Sequence, residues 1–130
     1  MRVGIVVNPD AGLGGRLGFK GSDGRAKEAR DAGAQDRAGP RMRQCLGKFT
    51  ELLKSSLNRD NINPELCAWE GRMGGDWIGT EYQIIDTPPE TTSANDTAEL
   101  VKQLLNLNVD VILYAGGDGT TRDIVNALED

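Results

Sequence analysis

The chain contains one segment that constrains its fold more than any other, a glycine-rich turn between a strand-like run and a helix-like run. Residues 109–113 form an apolar, largely β-branched run of the kind that a buried parallel strand needs. After the turn, the spacing of Ile124, Val125 and Leu128 places them on one helical face. Between them, residues 116–120 read Gly-Gly-Asp-Gly-Thr. This order predicts one strand–turn–helix unit of a parallel α/β sheet, with Thr120 or Thr121 capping the helix.

The turn has the composition of an anion-binding site. Glycines let backbone amides approach a ligand closely, and the positive end of the following helix points at the same place. A phosphate would be held there by Gly116, Gly117, Gly119 and Thr120, which leaves Asp118 free for chemistry on a neighbouring group. The alternative interpretation is a tight turn with no ligand. The strand before it and the helix after it favour binding, because such motifs depend on their structural context.

Strand-like and helix-like runs alternate along all 130 residues, which predicts one domain spanning residues 1–130. The predicted fold class is α/β with a doubly wound, mostly parallel sheet, a Rossmann-like three-layer α/β/α arrangement built from right-handed crossovers. Asn95 or Asp96 is the predicted cap of the third helix. The predicted strands are residues 3–7, 64–70, 82–85 and 109–113, and the predicted helices are residues 25–34, 40–57, 96–105 and 123–128.

A glycine-rich loop, residues 8–24, follows the first predicted strand. Loops longer than about 15 residues are usually functional or disordered, and a position at the carboxyl end of a strand favours function. The dinucleotide fingerprint would need glycine in place of Leu17, and residues 18–22 lack the Gly-Lys-Ser order of a P-loop. The loop can still offer amides and two cations to a polyphosphate, although a loop without a ligand is the alternative. Its candidate residues are Asn8, Gly12, Gly14, Gly15, Arg16 and Lys20.

The composition argues against several classes of function. A net charge of -5 argues against nucleic acid as a partner. Without histidine, acid–base work at neutral pH falls to Asp, Glu, Lys, Tyr or Cys, and no protein-held metal site is predicted. Cys45 and Cys67 lack metal-ligand spacing and are predicted to be small buried hydrophobes in a reducing compartment. With no apolar run of about 18 residues and no leader pattern, we expect a cytoplasmic protein that does not bind membranes.

With both glycine-rich segments in view, the sequence resembles the NAD kinase family, especially its archaeal-type ATP-NAD kinase branch. The Gly-Gly-Asp-Gly-Thr box alone is shared by NAD kinases, diacylglycerol and sphingosine kinases and 6-phosphofructokinases. The Gly-Phe-Lys-Gly-Ser-Asp-Gly run at residues 18–24 is what points to the NAD kinase branch. The remaining residues that carry the resemblance are 7–9, 12–15, 72–74, 115–120, 122 and 123.

The resemblance implies phosphoryl transfer from ATP or polyphosphate to the 2′-hydroxyl of the adenosine ribose of NAD, which gives NADP. It implies that Asp118 is the general base, that the adjacent glycines and Thr120 hold phosphates, and that Mg²⁺ accompanies the nucleotide. NAD kinases also carry a β-rich C-terminal domain. We therefore expect this chain to be the N-terminal part, with little or no activity alone, and to form a homo-oligomer or to associate with that domain. The expected cleft and charge partners are Asn8, residues 12–15, Lys20 and Arg122.

Two other functions are compatible with the same residues. A lipid kinase of the diacylglycerol kinase type would share the Asn-Pro pair and the Gly-Gly-Asp-Gly-Thr box. Such an enzyme needs an apolar surface for its acceptor, and the sequence offers no obvious exposed apolar stretch. A non-catalytic nucleotide-binding module is the second alternative, in which Asp118 would have no chemical role.

Overall fold

The structure of the chain is a computed structural model that describes residues 1–12 and 36–129. In this part of the chain, strands and helices alternate, and two short 3₁₀ helices, Gly71–Met73 and Gly75–Trp77, precede the third strand. The helix predicted at residues 25–34 lies outside the described residues. The elements are β1 (Arg2–Val7), α1 (Ala38–Leu53), β2 (Glu65–Ala68), β3 (Gln83–Ile84), α2 (Ala94–Asn106), β4 (Val111–Ala115) and α3 (Asp118–Glu129).

The described strands form one four-stranded, all-parallel sheet in the order β3-β2-β1-β4. β1 is central, and five of its six residues are buried, which explains its continuous apolar sequence. The register pairs Val3 with Leu66 on one side and with Val111 on the other. After β3 the chain crosses back to the far side of β1, so the strand order reverses between β1 and β4. Open α/β sheets bind ligands at such a reversal, beyond the carboxyl ends of the strands.

Helices cover both faces of the sheet, which confirms the predicted Rossmann-like α/β class. Because side chains of β1 alternate between faces, they divide between two apolar clusters. On one face, α1 packs through Met42 and Leu46 against Val3, Ile5 and Val7. On the other face, α2 and α3 pack through Leu100, Leu104, Ile124 and Ala127 against Val6 and Cys67. Burying an aliphatic side chain of this size contributes about 1.5–3 kcal/mol, so the two clusters hold the three layers together.

Two helix starts differ from the sequence predictions. The N-cap of α2 is Ser93, and Asp96 lies inside the first turn, where its Oδ2 accepts a hydrogen bond from the Ser93 amide at 2.8 Å. The prediction that Asn95 or Asp96 caps the helix was therefore wrong. α3 begins at Asp118, so Thr120 and Thr121 lie in its first turn and do not cap it. Local pattern alone does not separate a capping residue from a polar residue one turn later.

The ends of α1 also differ from the predicted span of residues 40–57. The helix begins at Ala38, which places Pro40 in the first turn, where its missing amide N–H costs no hydrogen bond. It ends at Leu53, whose carbonyl accepts a hydrogen bond from the Asn58 side-chain amide at 2.9 Å. That contact closes the C-terminus about one turn earlier than the apolar spacing predicts.

Candidate functional site

Asn8 joins the carboxyl ends of β1 and β4. Its backbone N–H donates a hydrogen bond to the Ala115 carbonyl at 3.0 Å, and its Nδ2 donates to Oγ1 of Thr120 at 2.8 Å. Its Oδ1 accepts from the amide of Asp10 at 3.1 Å. Thr120 is only 3% exposed, so this is a largely buried polar contact. The start of the first glycine loop and the start of α3 therefore lie against each other where the strand order reverses.

The two glycines after β4 have different roles. A Cβ atom at Gly116 would lie 2.5 Å from the Cβ of Thr120, so only glycine allows β4 to turn this closely onto α3. A Cβ atom at Gly117 would meet no heavy atom within 4 Å in the described part of the chain. The Gly117 carbonyl accepts the hydrogen bond from the Thr121 amide at 3.0 Å, which starts the helix. The backbone is thus tightly packed at Gly116 and open to a ligand at Gly117.

Asp118 is the first residue of α3 and is exposed. The positive end of the helix favours a carboxylate at this position. Among the described residues, no side chain donates a hydrogen bond to this carboxylate. Asp118 directly follows the two glycines of the turn, and its carboxylate is open to solvent there.

A cavity of about 430 Å³ lies between α1 and the carboxyl ends of β1 and β4. Gly116 and Gly117 form one side of it, and Gly12 belongs to another. Gly12 has a positive φ of 77°, a backbone conformation that favours glycine. The structure therefore brings three of the glycines singled out in the sequence to one cavity.

The α1 side of this cavity carries two residues that the sequence analysis missed, Arg37 and Arg41. They are four residues apart at the start of α1, and the Arg37 side chain lies against Gly12. Their four-residue spacing is visible in the sequence, but two arginines at this spacing normally indicate only a solvated helix surface. The long-range position of α1 gives the pair its significance.

Cys45, one turn beyond Arg41, also lines the cavity and is exposed, so the prediction that it is buried was wrong. It lies beside the buried face formed by Met42 and Leu46, and not on that face. Cys67 is fully buried as predicted. Burial first, and then the nearby Glu65 carboxylate, raises the pKa of the Cys67 thiol, while Arg2 acts in the opposite direction.

The other candidate residues are distributed as follows. Gly119 and Arg122 lie on α3 and are exposed. Like Asn8, Asp118 and Thr120, they do not line the cavity. Gly14, Gly15, Arg16 and Lys20 fall outside the described residues. Within residues 1–12 and 36–129, no group of three or more Cys, Asp or Glu side chains could hold a metal ion. Also within those ranges, no helix has the length and apolar character needed to cross a membrane.

An apolar groove of about 360 Å³ runs along β4 and α3, and here the sequence prediction of no exposed apolar stretch was wrong. Ile124 is buried, but Val125 and Leu128, which were predicted to share its face, are 45% and 48% exposed. Ala127 takes the buried position instead, at 1% exposure. The other exposed apolar residues that line the groove are Leu105, Val111 and Tyr114.

The fold and the site define a Rossmann-like α/β protein with a glycine-bounded cavity where the strand order reverses. Residues 79–130 match the family model of the diacylglycerol kinase catalytic domain. The matched range contains β3, α2, β4, the glycine turn and α3. That family belongs to the NAD kinase/diacylglycerol kinase-like superfamily, so the match supports a kinase of this superfamily without specifying its acceptor. No curated protein and no solved structure matches the chain significantly.

Proposed function

We propose that the chain forms the nucleotide-binding part of a kinase that phosphorylates the 2′-hydroxyl of the adenosine ribose of NAD. The observation that carries this proposal is the contact between Asn8 and Thr120, which brings the first glycine loop and the Gly116–Gly117 turn to one cavity. The family match over residues 79–130 supports phosphoryl transfer. The resemblance of residues 18–24 to NAD kinases supports NAD as the acceptor.

Phosphoryl transfer depends mainly on positioning and on neutralising charge. In the proposed mechanism, the open backbone at Gly117 and the positive end of α3 hold the phosphates of ATP or polyphosphate. Asn8 holds Thr120 in place and so fixes the path of the glycine turn. Asp118 accepts the proton of the attacking hydroxyl, since its carboxylate is exposed and next to the turn.

Mg²⁺ fits this arrangement when it is held mostly by the donor phosphates. Magnesium sites in kinases use one or two carboxylates together with substrate phosphates, so they need no three-residue cluster. Asp118 is the carboxylate placed to contribute. The ion would neutralise charge on the transferred phosphoryl group.

Transfer of labelled phosphate from ATP or polyphosphate to NAD by the purified protein tests the proposal. Asp118→Asn should lower the rate of transfer about 10²–10⁴-fold, the usual contribution of a general base. Glu129→Gln is the matched control, because it removes an exposed carboxylate at the other end of α3. Equal rates for Asp118→Asn and the unchanged protein would show that Asp118 is not the base.

A lipid acceptor is the second candidate, favoured by the apolar groove and by the family whose model matches. The groove along β4 and α3 could receive an acyl chain, because Val111, Val125 and Leu128 expose large apolar surfaces there. The same assay with diacylglycerol in mixed micelles separates the two acceptors. Faster labelling of diacylglycerol than of NAD, and its loss in Val125→Asp, would replace NAD by a lipid in the proposal.

A further inference from the structure

We propose that Arg37 and Arg41 are the anion-recognition groups of the cavity and bind the phosphate chain of the donor from the α1 side. The inference rests on the proposed function, since it deepens the description of the same site. It assigns two binding residues that the glycine motifs do not contain. Three observations support it: the placement of the two side chains, their lack of acidic partners among the described residues, and the chemistry of the walls around them.

Arg37 is the residue just before α1, and Arg41 lies in the first turn of that helix. Residues four apart in a helix lie above one another, and the Arg41 amide donates to the Arg37 carbonyl at 3.2 Å, which places the pair in successive turns. The Cδ atom of Arg37 lies 3.3 Å from the position of a Cβ atom on Gly12. The Arg37 side chain therefore passes over the first glycine segment, and both arginines line the cavity that Gly116 and Gly117 border on the other side.

The two arginines have no acidic partner within the described residues. Arg2 and Arg72, by contrast, form ion pairs with Glu65 and Asp36, each at 3.5 Å. None of the described residues that line the cavity is acidic. The α1 wall thus concentrates positive charge in a chain whose net charge is -5. The planar, forked guanidinium group is suited to binding phosphate through two parallel hydrogen bonds.

The remaining walls favour a nucleotide over a bare anion. Ala38, Met42 and Leu113 give the cavity an apolar surface next to the two cations. A volume of about 430 Å³ lies in the range of small-molecule sites. A ligand with a flat apolar ring and a chain of phosphates matches both kinds of wall. Inorganic polyphosphate carries the same phosphate chemistry without the ring, and the experiment distinguishes the two.

The test measures binding of MgATP and of tripolyphosphate to the full-length 130-residue chain by calorimetry. Each of Arg37→Gln and Arg41→Gln should weaken MgATP binding about tenfold, equivalent to about 1.4 kcal/mol. Arg59→Gln is the matched control, because Arg59 is exposed in the turn after α1 and does not line the cavity. This control removes one positive charge as well and should change the dissociation constant less than twofold. Circular dichroism of each variant establishes that the fold is retained.

Cys45 reports whether the ligand occupies this cavity. Its thiol is exposed in the cavity wall, one turn beyond Arg41, whereas Cys67 is buried. Bound MgATP should slow the alkylation of Cys45 by iodoacetamide at least fivefold at saturation, as measured by mass spectrometry. In Arg41→Gln, about tenfold more MgATP should be needed for the same protection.

The outcomes separate this inference from the proposed function. MgATP binding that is unchanged in both arginine variants, or that leaves Cys45 unprotected, overturns the inference and leaves the kinase proposal standing. No binding of either ligand also overturns the inference. If MgATP binding weakens in the arginine variants but the protein transfers phosphate to neither NAD nor diacylglycerol, the inference is supported and the proposed function is overturned. Equal affinity for tripolyphosphate and MgATP supports the arginine site and assigns its recognition to the phosphate chain alone.

Discussion

The hydrogen bond between Asn8 and Thr120 joins two segments that are 112 positions apart in the sequence. Asn8→Ala leaves the Thr120 hydroxyl without this donor at a position only 3% exposed. An unsatisfied buried polar group costs about 1–3 kcal/mol, so we expect the free energy of unfolding to fall by about 2 kcal/mol. Thr120→Val keeps the shape that packs against Gly116 and removes the hydroxyl. Because the Asn8 side chain is only partly buried and water can replace the lost partner, this variant should lose about 1 kcal/mol.

A double-mutant cycle in urea measures the coupling directly. Removing both partners leaves no unpaired hydroxyl, so the double variant should be more stable than the sum of the single effects by about 1 kcal/mol. The control pairs Asn8→Ala with Thr121→Val, since Thr121 is exposed and its hydroxyl contacts Tyr114 instead. This second pair should be additive. Additivity within about 0.3 kcal/mol in the Asn8–Thr120 cycle would refute the reasoning.

Three further predictions concern stability. Gly116→Ala should lower the free energy of unfolding by about 1–3 kcal/mol through overcrowding, whereas Gly117→Ala should leave thermal unfolding nearly unchanged; equal effects would contradict the difference in packing. Because its pKa is raised when folded, the Cys67 thiol stabilises the protein fully below its ordinary value of 9.0, and this contribution should be lost as the pH rises above that value. Urea unfolding at a series of pH values from 8 upward measures this loss. If the free energies of unfolding of the unchanged protein and of Cys67→Ala differ by the same amount at every pH, the prediction is refuted. Asp96→Ala should cost about 1 kcal/mol by removing the acceptor of the Ser93 amide, as read from the urea midpoint.

The sequence was sufficient for the parts of the fold that depend on local pattern. β1 and β4 are apolar and β-branched because they are buried parallel strands, and this property is visible residue by residue. Caps were less predictable, because several polar residues near each helix start compete for the same role. The buried face of α3 was also misassigned. A short helix with Ile124, Val125, Ala127 and Leu128 offers two apolar faces, and only the packing against α2 selects the one with Ala127.

The candidate site also contains residues that the sequence predicts and residues that only the fold identifies. Gly12, Gly116 and Gly117 could be found from the sequence because a tight turn or a positive φ restricts the residue type. Arg37 and Arg41 could not, because nothing in their local sequence separates cavity arginines from surface arginines. Their importance depends on how α1 lies across the carboxyl ends of β1 and β4. That arrangement is set by the apolar packing of Met42 and Leu46 against β1.

The cavity is bordered by three separate parts of the chain: the residues after β1, the first turns of α1, and the turn after β4. A compound that touches all three acts as a non-covalent cross-link between them. At a concentration 100 times its dissociation constant, any such compound adds about 2.7 kcal/mol to the free energy of unfolding. Thermal melting of the purified chain is therefore a direct screen for its natural ligand, and the screen works whichever reaction the protein catalyses.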